Sequence, residues 1–116
     1  MYSVDRHLLI IRPREPFLDW LKNIAPENQA LTLSHLSHDN TAFMIPKHDM
    51  PEEDHRYIRS IFPDLFDMVL EEWVLDTDLW PADRTYEKFR DWFDLDIHSV
   101  LLDTSETEIQ KEHYYS

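Results

Sequence analysis

The chain contains no glycine, where average usage of about 7% would place about eight in 116 residues. That absence removes the phosphate-cradling P-loop, the dinucleotide fingerprint and the G-x-S-x-G nucleophile elbow. Each needs glycine so that backbone can approach a ligand or turn sharply. Cysteine is absent as well, which excludes thiol catalysis, disulfide staples, iron–sulfur ligation and cysteine zinc sites. A chain of 116 residues suits one compact domain, and its 42% hydrophobic and 13% aromatic content supplies the core.

Punctuation falls to seven prolines. Residues 4–12 (VDRHLLIIR) read as a strand, and the run of four large aliphatics predicts burial on both faces and a central position. Pro13 and Pro16 stop it. Phe17, Trp20, Leu21 and Ile24 then mark a short amphipathic helix that ends at Pro26. Thr32 is placed to cap a brief helical turn carrying Leu33 and Leu36. Asp39 and Asn40 signal a turn before a second strand at 41–45 (TAFMI), closed by Pro46.

The longest helical segment opens at Asp49 as N-cap, with Pro51 in its first turn. Its apolar positions, from Ile58 to Val74, hold helical phase across Pro63, which predicts a kink or two helices meeting near Phe62. Thr85 or Asp83 caps a last helix carrying Tyr86, Phe89 and Phe93, with Trp92 beside them, and residues 96–103 (DIHSVLLD) form a third strand. The expected fold is α+β: a small sheet of about three strands with helices mainly on one face, in the order β-α-(α)-β-α-α-β. Both connections are long enough to allow parallel pairing. One globular domain at 1–103 and a polar tail at 104–116 complete the organisation.

Eleven basic groups against 24 acidic ones leave a net charge of −13. Residues 1–50 carry five basic and six acidic groups, a net of −1; residues 51–116 carry six and eighteen, a net of −12. Such a field disfavours nucleic acid and anionic membranes, and steers a basic protein toward the C-terminal half. No signal peptide or membrane span is visible, so a cytoplasmic protein is expected.

Five groups of residues invite function. Asp64, Asp67 and Glu71 make an acidic stripe on the long helix, extended by Glu72, Asp76 and Asp78; a solvated face is the plain reading, a docking surface the functional one. Trp80 and Trp92 lie near the last loop, where exposed aromatics flanked by acids would serve as interface hot spots, although core packing is the simpler fate. His7 and His98 lie in strands and would share a pocket if those strands are neighbours. Arg12 and Arg14 follow the first strand, where they would hold a carboxylate or phosphate, or pair with nearby acids. His48, Glu52 and His55 make at most an improvised metal site, because no second Glu-x-x-His is present. No cofactor is expected.

The strings HLLIIRPREPFLDWL, DNTAFMIP and LWPADRTYEKFRDWF through DIHSVLLD resemble a family of short, acidic bacterial proteins with no assigned activity. The resemblance covers roughly residues 5–103 and implies a bacterial cytoplasmic domain without supplying a catalytic residue. Two functions compete. One is a non-enzymatic protein that binds a partner, in particular a basic one, through Asp64, Asp67, Glu71, Asp78, Trp80 and Trp92. The alternative is a small-molecule or catalytic pocket at a sheet end, built from His7, Arg12, Arg14 and His98. A symmetric homodimer is also expected, because a small sheet leaves two edges and fifteen aromatic rings are many for such a core.

Overall fold

In a computed structural model, which describes residues 1–114, a three-stranded antiparallel sheet lies under a layer of helices. Strand β1 (Tyr2–Ser3) is followed by β2 (Arg6–Pro13), α1 (Glu15–Ile24), a 3-10 turn at Pro26–Ala30 and α2 (Leu33–Leu36). Strand β3 (Ala42–Pro46) leads into α3 (Pro51–Trp73), a 3-10 turn at Thr77–Leu79, α4 (Tyr86–Trp92), β4 (Phe93–His98) and β5 (Leu102–Asp103). The main sheet has the order β3-β2-β4, and a separate ribbon pairs β1 with β5. The architecture is α+β, as the sequence predicts. Parallel pairing, which the connection lengths allow, is not used: β2 runs antiparallel to both neighbours.

Strand β2 is central, as its aliphatic run predicts, but its burial alternates residue by residue. His7, Leu9, Ile11 and Pro13 face the helices and are buried. Arg6, Leu8, Ile10 and Arg12 take the other face and are half-buried. The expectation of burial on both faces is therefore met on one.

Packing makes the core aromatic. Phe17, Phe66, Phe89, Trp92 and Phe93 are all buried. Phe66 lies 5.5 Å from Phe89, 5.9 Å from Trp92 and 5.6 Å from Phe93, ring centre to ring centre. Tilted and edge-on pairs like these are worth about 0.5–1.5 kcal/mol each beyond the area they bury.

The termini of the elements follow local chemistry. Thr32 caps α2 as predicted, its hydroxyl accepting from the His35 N–H while the His35 ring accepts from the Thr32 N–H. Thr85, rather than Asp83, caps α4 by accepting from the Lys88 N–H at 3.1 Å. Asp83 instead takes the Lys88 ammonium at 2.6 Å. The N-cap of α3 is Met50, not Asp49, and no side chain caps it. Glu52, Glu53 and Asp54 in the first turn supply negative charge to the helix dipole instead. Helix α3 also runs unbroken through Pro63, and its apolar residues on both sides of the proline, Ile58 before it and Leu65 and Phe66 after it, are buried in one core.

The last strand begins earlier than the sequence predicts. Phe93 continues the helical stripe of Tyr86 and Phe89, but it also opens the alternation Phe93, Leu95, Ile97. That alternation pairs with β2 from Pro13 to Leu8. The expected strand at 96–103 is thus split between β4 and β5. Residues 104–114 add no helix or strand, and the last two positions of the expected tail, Tyr115 and Ser116, lie outside the described residues. No helix among those described is long and apolar enough to cross a membrane.

Candidate functional site

Helix α3 carries both clusters of interest. Asp64, Asp67 and Glu71 lie on its outer side, three and four residues apart, next to the buried stripe of Leu65, Phe66, Val69 and Leu70. The chain then turns back, and Trp80 joins them. Its indole N–H donates to the Val74 carbonyl at 2.8 Å, which fixes the ring against the end of the helix. With Met68, these residues line an open groove of about 500 Å³.

Arg84 lies against two of the lining residues, Asp67 and Trp80. Its guanidinium carbon lies 5.7 Å from the centre of the Trp80 ring, its Nε lies 3.4 Å from Asp67 Oδ1, and its Nη1 donates to the Pro81 carbonyl at 2.7 Å. A cation over an aromatic face, anchored by a carboxylate, is a favoured way to hold arginine. Sequence reasoning found four groove residues but missed a fifth, Met68, and the contact of Arg84 with Asp67 and Trp80. Met68 falls between Asp64 and Glu71 at helical spacing, a signal that was available; the reach of Arg84 from a loop left none.

Two of the sequence-selected residues stand apart from the groove. Asp78 is exposed on the 3-10 turn, where its N–H donates to Asp76 Oδ1 at 3.0 Å. Trp92 is buried among Phe17, Trp20 and Phe66, so it belongs to the core and not to an exposed surface. The Lys88 ammonium sits 5.3 Å from its ring centre.

The four residues of the alternative pocket are not brought together. His7 faces the helices, whereas Arg12 lies on the opposite face of the same strand. Arg12 donates to Asp96 Oδ2 from Nε at 3.1 Å and from Nη2 at 2.9 Å. His98 Nε2 lies 3.1 Å from the other Asp96 oxygen. Arg14 lies 3.8 Å from Asp94. Hydrogen bonding from Arg12, and then from His98, holds the Asp96 carboxyl below the usual carboxylate range. The cations of this sheet end are engaged by strand acids.

His7 joins a cluster that sequence reasoning missed. Asp54, in the first turn of α3, is buried with one carboxylate oxygen on each of two imidazoles: Oδ2 lies 2.9 Å from His7 Nδ1 and Oδ1 lies 2.8 Å from His48 Nδ1. Burial pushes the Asp54 carboxyl up, but the hydrogen bonds from His48 and His7, with their charges, outweigh it and hold the group below its ordinary value. The sequence signal was present: Asp54 sits four residues before Ile58 and eleven before Leu65, on the buried stripe, where a carboxylate needs partners. His48 also lines a shallow pocket of about 340 Å³ with Glu53, Arg56 and Tyr57. His48, Glu52 and His55 do not converge; among the described residues no three His, Cys, Asp or Glu side chains are placed to hold a metal ion.

Compared with family models, curated proteins and solved structures, the chain matches none.

Proposed function

We propose that this is a non-enzymatic cytoplasmic protein that binds a basic segment of a partner protein in the groove lined by Asp64, Asp67, Met68, Glu71 and Trp80. The observation that carries the reading is the seat of Arg84. The Arg84 guanidinium lies over Trp80 and beside Asp67, two residues of the groove lining, and Asp64 lines the same groove as a further carboxylate. The net charge of −12 over residues 51–116 would speed the approach of such a segment. Trp80 supplies the rigid aromatic anchor that interfaces favour.

The test is an NMR titration with a twelve-residue arginine- and lysine-rich model peptide. Saturable shifts at Met68, Glu71 and the Trp80 indole are expected. Asp67→Asn and Trp80→Ala should each weaken binding about five- to tenfold, and raising salt from 50 to 200 mM should weaken it further. Shifts spread evenly over the exposed acids, unchanged by either substitution, would overturn the reading.

A further inference from the structure

The outer face of the main sheet is left without a covering layer. At its centre lie Leu8 and Ile10 of β2, flanked across the ladder by Met44 and Ala42 of β3. None of the four belongs to the hydrophobic core or packs against it, and Met44 is 45% exposed. On the β4 side the same face carries Asp94, Asp96 and His98, opposite Arg12, Ile10 and Leu8. A run of large aliphatics in a central strand fits a strand covered on both faces, and the helices supply one cover.

We infer that a second copy of this chain supplies the other, through a symmetric, face-to-face sheet dimer centred on Leu8 and Ile10. Charge selects the occupant. Arg12 and His98 engage Asp96 within the face, while Arg6 pairs with Asp5 and Asp94 lies 3.8 Å from Arg14, so this surface carries no unbalanced charge to attract a strongly charged partner. On a chain of net charge −13, it is a surface where two copies meet without opposing their acidic excess. The helix layer with Asp64, Asp67 and Glu71 lies on the far side of the sheet. The β3 edge is a poorer candidate: the strand has five residues and ends in Pro46, which has no N–H to offer an added strand.

The uncovered face measures roughly 250 Å² per copy from strand spacing and rise. Stable complexes bury about 800 Å² per partner, so the dimer is weak and forms only at high protein concentration. Its strength should rise with salt, because screening relieves the repulsion between two acidic bodies while leaving apolar contact intact.

Sedimentation of the full chain from 10 µM to 1 mM, at 50 and 500 mM salt, tests this. A concentration-dependent dimer is expected, with Kd falling about three- to tenfold at the higher salt. Ile10→Lys should raise Kd at least tenfold; the new ammonium faces Asp96 across the ladder, which favours folding. It also lowers the net negative charge, so the loss cannot come from added repulsion. Met44→Lys, at an exposed position, is the second variant and should do the same. Asp67→Asn should leave the dimer unchanged, which separates this surface from the groove. A mass of 14.1 kDa at 1 mM and 500 mM salt, or a dimer indifferent to both lysine variants, would overturn the inference.

Discussion

Asp54 and His7, 47 positions apart, meet inside the protein with His7 Nδ1 2.9 Å from Asp54 Oδ2. The contact ties the start of α3 to the central strand. A carboxylate can only accept, so both imidazoles are held with the proton on Nδ1. Asp54 thereby fixes the ring of His48 as well as that of His7.

Asp54→Asn keeps the shape of the side chain but lets it accept from one imidazole at a time, and its amide hydrogens then meet a ring that was donating. The expected loss is about 2–4 kcal/mol at neutral pH, measured by urea unfolding. His7→Asn should cost more than His48→Asn, because His7 is 6% exposed at its side chain and His48 is 22%. Equal losses from the two histidine variants would mean that burial does not decide the cost.

The same carboxyl sets an acid limit. Its folded pKa lies below the ordinary value of 3.8, so between those two values the unfolded chain binds the proton and the folded one does not. The contribution of Asp54 is therefore present above about pH 4 and is lost as pH falls through the folded value. Wild type should lose stability more steeply than Asp54→Asn below pH 4. Parallel pH profiles for the two proteins would contradict this.

Much of the fold was legible because period and capping agree over long stretches. Strand β2, helices α1 and α3 and the Thr32 cap all follow from residue spacing. The start of β4 was not, because Phe93 satisfies the helical and the strand period at once and only its pairing with Pro13 decides between them. The groove was partly legible: the acidic stripe is a one-helix pattern, whereas Arg84 reaches it from another segment. The cluster at Asp54 joins β2, the loop before α3 and α3 itself, and such convergence is set by tertiary packing.

Trp92 separates core from surface experimentally. Its ring is packed against Phe17, Trp20 and Phe66, so Trp92→Ala should cost about 3–5 kcal/mol, as removal of a buried aromatic usually does. Trp80 is only partly buried and lines the groove, so Trp80→Ala should cost less stability while weakening peptide binding. A mild effect on stability from Trp92→Ala would place that ring at the surface.

Pro63 sits inside a continuous helix and leaves the Arg59 carbonyl without the N–H that residue 63 would normally provide. Proline in a helix interior costs about 3 kcal/mol relative to alanine when nothing compensates. The Ser60 hydroxyl donates to the Tyr57 carbonyl at 2.5 Å, which does not replace the bond at Arg59. Pro63 is also exposed, so Pro63→Ala removes no core packing. A gain of about 1–3 kcal/mol in urea unfolding is expected. A loss would show that the ring itself supports the path of α3.

The lack of glycine has its structural counterpart at Asp39. With φ of 56°, it is the non-glycine residue recorded in the left-handed region among the described residues. The turn there joins α2 to β3, and the Asn40 amide donates to the Leu36 carbonyl at 2.7 Å, closing the helix end that glycine commonly closes. Aspartate tolerates this conformation better than most residues with a Cβ, yet still at a cost of about 1 kcal/mol relative to glycine. Asp39→Gly relieves that strain but loosens the unfolded chain, which offsets part of the gain. The net expectation is a change between zero and about +1 kcal/mol, whereas Asp39→Val, branched at Cβ, should lose about 1–2 kcal/mol. Equal stabilities for the glycine and valine variants would mean that the turn relaxes out of the left-handed region.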